Sequence, residues 1–430
     1  MGDMADMEQL LESMVGNSFR QVPGVGALVI KDGKRVFGHC CGNAYIDCNN
    51  AEKNRDFTEE SLFRIASISK QYTVYAIMQL VQQGRLDLDE DAGQYLGFRL
   101  VHPGFPQTKI TVRMLASHTS GLRDGIIYCI PPEYSLQEFF QPGGRFYEGG
   151  AHFSPVTEPP GEYFCYCNLN YGLLGTIVEA VTGERFDRYM EAKILLPLGI
   201  RGGYLPSNLS EEDFADLGVL YQKKNGEGKW QDDAAWRGVM DDYGASRPAH
   251  DTVSMQNPYA EQDDRAQYNL KKYRPGTNAT FFAPQGGLRM SLAGLEKTLL
   301  MLLDGGKIGA QEFLSPEALG EMTKAQWVFR QNNGDTCDGA LLSYGLGLYQ
   351  IKGDTSGRVC RSRRVDLVGH TGQAFGLYAG LFFMPGTRSG FAYIMNGIGL
   401  SEEDSRSQGE FSGNFIWEEK IMDALCGLML

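Results

Sequence analysis

Residues 67–84 read Ser-Ile-Ser-Lys-Gln-Tyr-Thr-Val-Tyr-Ala-Ile-Met-Gln-Leu-Val-Gln-Gln-Gly. Within 68–83, Tyr72, Tyr75, Ile77, Met78, Leu80 and Val81 recur at helical spacing, and Gly84 supplies a stop. A helix is expected here. Its head carries Ser67-Ile68-Ser69-Lys70, an S-x-x-K tetrad. Positions i and i+3 share one helix face, so the Lys70 amine can reach the Ser67 hydroxyl. A lysine buried beside a serine loses its charge, and a neutral amine can accept the serine proton. A Ser and a Lys on a solvated helix face would give the same letters. The strongly apolar helix that follows argues for burial, where a solvated lysine would be out of place.

Outward from this helix, the two chain ends share one pattern. Residues 3–20 place Met7, Leu10, Leu11, Met14 and Val15 on one helical stripe. Gly24–Ile30 and Lys34–Cys40 are apolar runs joined across Lys31-Asp32-Gly33, and an Asp-Gly step between strands signals a hairpin. At the far end Leu377–Met384 and Phe391–Asn396 read as strands, and a helix follows with Trp417, Ile421, Ala424, Leu425 and Leu428 on one stripe. Between the ends lie further helices at Asn170–Val181 and Phe186–Leu196. The expected architecture is a sheet-and-helix unit from residues 1–66 and 281–430, with an inserted, mostly helical domain at 67–280. Within the insert, 201–280 is polar and turn-rich. It carries Trp230 and Trp236 and a hairpin signal at Asn225-Gly226, and reads as a variable surface segment on the substrate side.

Composition narrows the function. At 430 residues, with 42% hydrophobic and 22% charged, the chain is globular, which excludes disorder, fibre and coiled coil. The net charge of −13 repels phosphate backbones and anionic bilayers, so neither nucleic acid nor a membrane is an expected partner. No apolar run reaches the ~18 residues of a membrane span. The start carries Asp3, Asp6, Glu8 and Glu12 before the first basic residue, Arg20, unlike a secretory leader, so a cytoplasmic setting is expected. Nine cysteines without framework spacing read as reduced thiols. His39-Cys40-Cys41 is a poor chelate because adjacent ligands do not converge, and no metal or other cofactor is expected.

Two later stretches complete a set with the S-x-x-K tetrad. Tyr166-Cys167-Asn168 is a Y-x-N triplet just before a helix, and His370-Thr371-Gly372 precedes a core strand. In this order they resemble the serine β-lactamase and penicillin-binding protein superfamily, which combines S-x-x-K, S/Y-x-N and K/H-T-G. The middle tyrosine points to the branch of class C β-lactamases, D-alanyl-D-alanine carboxypeptidases, D-aminopeptidases and related esterases. The resemblance also takes in Val22-Pro23-Gly24, Phe63–Lys70, residues 84–89, Leu115–Leu122, Pro197-Leu198-Gly199 and Pro284-Gln285-Gly286-Gly287. It covers roughly 20–200 and 280–397.

The resemblance implies an α+β fold of β-lactamase/transpeptidase type: an antiparallel sheet flanked by the N- and C-terminal helices, with the helical domain inserted. It implies a serine hydrolase of amide or ester bonds, acting on a small molecule or short peptide through an acyl-enzyme. Ser67 would be the nucleophile, and Lys70 and Tyr166 would share the proton work. The N–H groups of Ser67 and Gln373 would form the oxyanion hole. Asn168, His370, Thr371 and Gly372 would contact substrate. Tyr166 also reads as a packed aromatic and Asn168 as a helix cap. His118 reads as a structural hydrogen-bonding residue, Arg64 as a surface partner, and Cys165 and Cys167 as small core residues. Where β-lactamases carry a lysine cation, this chain has His370, ordinarily near pKa ~6.5 and mostly neutral at pH 7. That favours a D-amino-acid-directed peptidase or amidase, or an esterase. An acyltransferase and a class C-like β-lactamase remain alternatives, and a non-catalytic acyl-binding protein conflicts with the intact Ser67, Lys70 and Tyr166.

Overall fold

The computed structural model describes residues 4–225, 227–244, 246–256, 265–361, 363–401, 409–412 and 414–430. Its centre is a nine-stranded sheet in which every neighbouring pair is antiparallel. From one edge the order is Trp327–Val328, Ser343–Tyr344, Tyr349–Ile351, Leu367–Ala374, Leu377–Met384, Ser389–Met395, Gly24–Lys31, Lys34–Tyr45 and Arg55–Asp56. The two chain ends meet in mid-sheet, where Val25 pairs with Met395 and Val29 with Phe391. Asp32 and Gly33 both take positive φ, +53° and +76°, as a two-residue hairpin turn between right-twisted strands requires.

The middle strands read as unbroken apolar runs because both faces are buried. Alternate residues divide between two cores. Val25, Ala27, Val29, Tyr378 and Phe382 pack against the terminal helices Met4–Met14 and Ile416–Met429 through Met7, Leu11, Trp417, Ile421 and Leu425. Leu28, Ile30, Ala379, Leu381 and Ile394 face the opposite way, toward the Leu292–Leu303 helix and the central helix Ser69–Gln82. The first helix stops at Met14, short of the periodic reading. Gly16, a poor helix former, turns the chain, and its N–H bonds the Val22 carbonyl.

The central helix is enclosed on all sides, so even Ser69, Lys70, Gln71 and Thr73 are buried. The Phe186–Leu196 helix is α-helical only to Tyr189 and continues as a π-helix over Met190–Leu195. Residues 201–280 are not helical in the main. Leu220–Lys223 and Trp236–Met240 form a three-stranded sheet with Gly397–Ile398, and Thr252–Gln256 pairs with Arg265–Asn269. A buried, bidentate Arg289–Asp241 pair at 2.8 and 2.9 Å ties this segment to the body. Gly226, half of the Asn225-Gly226 turn, lies outside the described residues.

His39, Cys40 and Cys41 follow one another along a strand. Cys40 packs into one core and Cys41 into the other, so the three cannot converge on an ion. None of the nine cysteines is joined in a disulfide. No helix among the described residues is long and apolar enough to cross a membrane.

Candidate active site

Ser67 lies in a 3-10 turn, Ala66–Ile68, that runs directly into the central helix. Ala66 holds φ at +46°, a conformation that costs a residue with a Cβ of order 1–3 kcal/mol and persists only where the surroundings impose it. The surroundings here are close. Strand Leu367–Ala374 passes so near that a Cβ on Gly372 would stand 2.3 Å from the Ile65 carbonyl oxygen. Glycine at 372 therefore lets the strand bring Thr371 and Gln373 beside Ser67.

Lys70 is fully buried, and its three amine hydrogens have three acceptors. They are Ser67 Oγ at 3.1 Å, Asn168 Oδ1 at 2.9 Å and the Gln285 carbonyl at 3.1 Å. Its Nζ also stands 4.6 Å from the centre of the Tyr166 ring. Burial lowers the Lys70 amine to about 7, while the Asp124 carboxylate works in the opposite direction. Both the neutral and the protonated amine are then populated near pH 7. Tyr166 hydrogen-bonds Ser67, yet burial holds its phenol well above the ordinary tyrosine range, so it keeps its proton.

Asn168 starts the helix Leu169–Thr182 but does not cap it with its side chain. It bridges instead, accepting from Lys70 and donating from Nδ2 to Asp124 Oδ2 at 3.0 Å. The other Asp124 oxygen accepts the Leu169 N–H at 2.9 Å. Asp124 is a polar support that the sequence reading did not single out, although it stands two residues beyond the Leu115–Leu122 stretch. Replacing Asp124 by Asn removes the anion that favours the Lys70 ammonium. The pH at which Lys70 loses its proton is then expected to fall, and the midpoint of an acylation pH profile measured by stopped flow should move to lower pH. A midpoint that stayed in place would detach Asp124 from Lys70.

His370 is 3% exposed, with both ring nitrogens occupied. Nδ1 lies 2.5 Å from the Thr371 carbonyl, which can only accept, so Nδ1 carries the proton. Nε2 then accepts from the Tyr344 hydroxyl at 3.1 Å. Burial and the nearby Lys70 lower the imidazole to about 3. His370 is thus a neutral packing group and not a cation offered to the cavity. Thr371 accepts from the Tyr349 hydroxyl at 3.3 Å.

His118 behaves as a structural residue. Its ring stacks on Tyr166 at 4.3 Å, its Nδ1 accepts the Cys167 N–H at 3.0 Å, and its carbonyl accepts the Cys165 N–H at 2.9 Å. These bonds grip both neighbours of Tyr166. Cys167 is buried, Cys165 is partly buried, and burial raises both thiols away from reactivity. Arg64 is not the surface partner expected from sequence. It turns inward, where Nε donates to the Gly286 carbonyl at 2.8 Å and the guanidinium lies 4.9 Å from the Phe375 ring centre.

A cavity of about 230 Å³ opens beside Ser67, Tyr166, Thr371 and Gln373. Its remaining walls are Cys337, Ala340, Leu341, Tyr349, His370 and, at and just before the start of the last helix, Asn414, Phe415 and Glu418. None of the described residues of 201–280, expected on the substrate side, lines it. They border two other cavities, about 500 and 510 Å³. Among the described residues no cluster of three His, Cys, Asp or Glu side chains is placed to hold a metal ion.

The family model described as Beta-lactamase matches residues 7–410. Protein flp of Staphylococcus aureus strain MRSA252 is 29% identical over 198 residues, 45% of this chain and 37% of that protein. The chain therefore spans less than half the length of the curated relatives it matches. Among solved structures, the octameric penicillin-binding protein homologue from Pyrococcus abyssi superposes with a TM-score of 0.64 at 24% identity, covering 99% of this chain and 77% of that one. The D-amino acid amidase from Ochrobactrum anthropi SV3, complexed with D-phenylalanine, gives 0.63 at 20% identity, covering 99% and 98%. At such identities the likeness to the solved structures is one of fold.

Proposed function

The chain belongs to the beta-lactamase family, and from that premise we propose that it is a serine hydrolase that opens amide or ester bonds through an acyl-enzyme on Ser67, with D-amino-acid derivatives or small esters as substrates. One observation carries the reading: a buried lysine amine, held near neutrality, lies 3.1 Å from a serine hydroxyl at the wall of a cavity. That is the pairing of nucleophile and base that activates a hydroxyl.

In this mechanism the neutral Lys70 amine takes the Ser67 proton as Oγ bonds to the scissile carbonyl carbon. The carbonyl π pair moves to oxygen, and that oxyanion lies against the Ser67 and Gln373 N–H groups. Collapse expels the leaving amine or alkoxide, which receives a proton through Tyr166 from the Lys70 ammonium. Water then releases the acyl group by the reverse sequence. Tyr166 acts as a relay because its phenol stays protonated, which leaves Lys70 as the base. Asn168, held between Lys70 and Asp124, orders the amine, and Thr371 faces the substrate from the strand.

Intact-mass detection of a fluorophosphonate adduct on Ser67, followed by a panel of p-nitrophenyl esters, D-amino-acid amides and cephalosporins, tests the proposal. Absence of an adduct and of turnover across the panel would refute it. The substrate side follows from charge. A β-lactam carries a carboxylate that a fixed cation orders, and His370 supplies none. Penicillins and cephalosporins are expected to turn over at least ~10-fold more slowly than the best ester, the scale of one lost charge-assisted contact. Nitrocefin turnover equal to that of the best ester would restore the β-lactamase reading.

A further inference from the structure

The first turn of the last helix, Ile416–Met429, contributes a side chain to the wall of the cavity beside Ser67. Among the described residues that line it, Glu418 is the one acidic side chain. Glu418 is 3% exposed, and among the described residues neutral groups hold it: the Tyr393 hydroxyl, which donates to Oε1 at 3.2 Å, and the Phe415 N–H. Tyr349, on the cavity wall, is close enough to sense its charge and in turn bonds Thr371. No cationic partner of Glu418 stands among the described residues; a carboxyl group so placed inside an apolar core is costly, and burial raises it to about 8. Placed on a cavity wall, the same group becomes a receptor for a cation from outside. The one nitrogen base on the described lining, His370, is neutral with both nitrogens engaged.

We propose that Glu418 receives the protonated primary amine of the substrate while the scissile carbonyl stands over Ser67. The acyl donors are then amino-acyl amides or esters with a free amine, and not N-acylated or carboxylate-bearing ones. Ammonium N–H groups donate to the Glu418 carboxylate, and the ion pair restores the ionised form that burial disfavours. The helix N-terminus behind Glu418 supports the same form. The inference rests on the serine-hydrolase reading and adds the substrate class to it.

A paired substrate series tests it on the full chain. D-alanine p-nitroanilide and propionic acid p-nitroanilide differ by the amine alone. The unmodified protein should favour the first by at least ~10-fold in kcat/KM, the scale of one hydrogen bond to a charged group. In Glu418→Gln, which keeps the shape and the polar contacts, that ratio should fall toward one, with the change carried mainly by KM. An unmodified protein with no preference for the amine overturns the proposal whether or not the variant folds. A variant that slows both substrates equally also overturns it, since that outcome assigns Glu418 to helix capping. Failure of the parent reading looks different: no fluorophosphonate adduct on Ser67 and no turnover of p-nitrophenyl propionate. An adduct and ester turnover without amine preference remove Glu418 alone.

Discussion

Replacing Ser67 by Ala is expected to reduce hydrolysis by about 10⁴-fold or more and to abolish fluorophosphonate labelling, on the scale seen when a catalytic serine is removed. The fold should survive. Ser67 is partly exposed in a turn, and the change deletes one oxygen. Lys70 keeps two of its three acceptors, Asn168 and the Gln285 carbonyl. Thermal melting should therefore move little. The neighbouring serine, Ser69, cannot substitute. It is fully buried, and its oxygen accepts the Leu288 N–H at 3.2 Å. Labelling that persisted in Ser67→Ala and mapped to Ser69 would overturn both the nucleophile and this account of its neighbour.

Lys70→Ala and Tyr166→Phe should each lower the acylation rate by at least ~10²-fold, the low end for loss of a general base or acid. Their effects should not add, because both residues serve one proton path. The pH dependence follows from the amine at about 7. The active form is the neutral amine, so the acylation rate rises with pH and levels off above 7. One unit below the midpoint the rate should be about a tenth of the plateau. This limb should vanish in Lys70→Ala. In Tyr166→Phe it should remain, because the phenol keeps its proton throughout. A limb lost in Tyr166→Phe and kept in Lys70→Ala would exchange the two roles. Additive losses in the double variant would mean separate paths.

Much of this site could be read along the chain because its spacing is local. An i to i+3 separation brings a serine and a lysine together wherever a helix forms, and the apolar periodicity of 68–83 calls for a helix. The Asp32-Gly33 turn was equally legible, since few residue pairs accept two positive φ angles in sequence. The Y-x-N and H-T-G triplets were visible as motifs, but their meeting with Ser67 was implied by resemblance and not by local physics. Gly372 illustrates the difference. Its letter marks a close approach of backbone, yet only the fold shows that the approaching group is the Ile65 carbonyl.

The sequence by itself determined the local geometry: the helix with Ser67 and Lys70 at its head, the hairpins of the two chain ends, and the order of the three motifs. Tertiary structure decided the chemistry of those residues. Lys70 sits near neutrality because elements from distant parts of the chain remove its water, and Gln285, 215 residues away, and Asn168, 98 away, replace that water with fixed acceptors. His370 is uncharged for the same reason, and Arg64 turns inward because the segment around Gly286 offers it a carbonyl. Glu418 carries no motif at all, since nothing in the local spacing of Trp417, Ile421 and Leu425 tells that one flank of that helix closes a cavity. Spacing fixes which neighbours a residue meets along its own helix or strand. Desolvation, and hence charge, depends on what packs against it from elsewhere, and no local pattern carries that information.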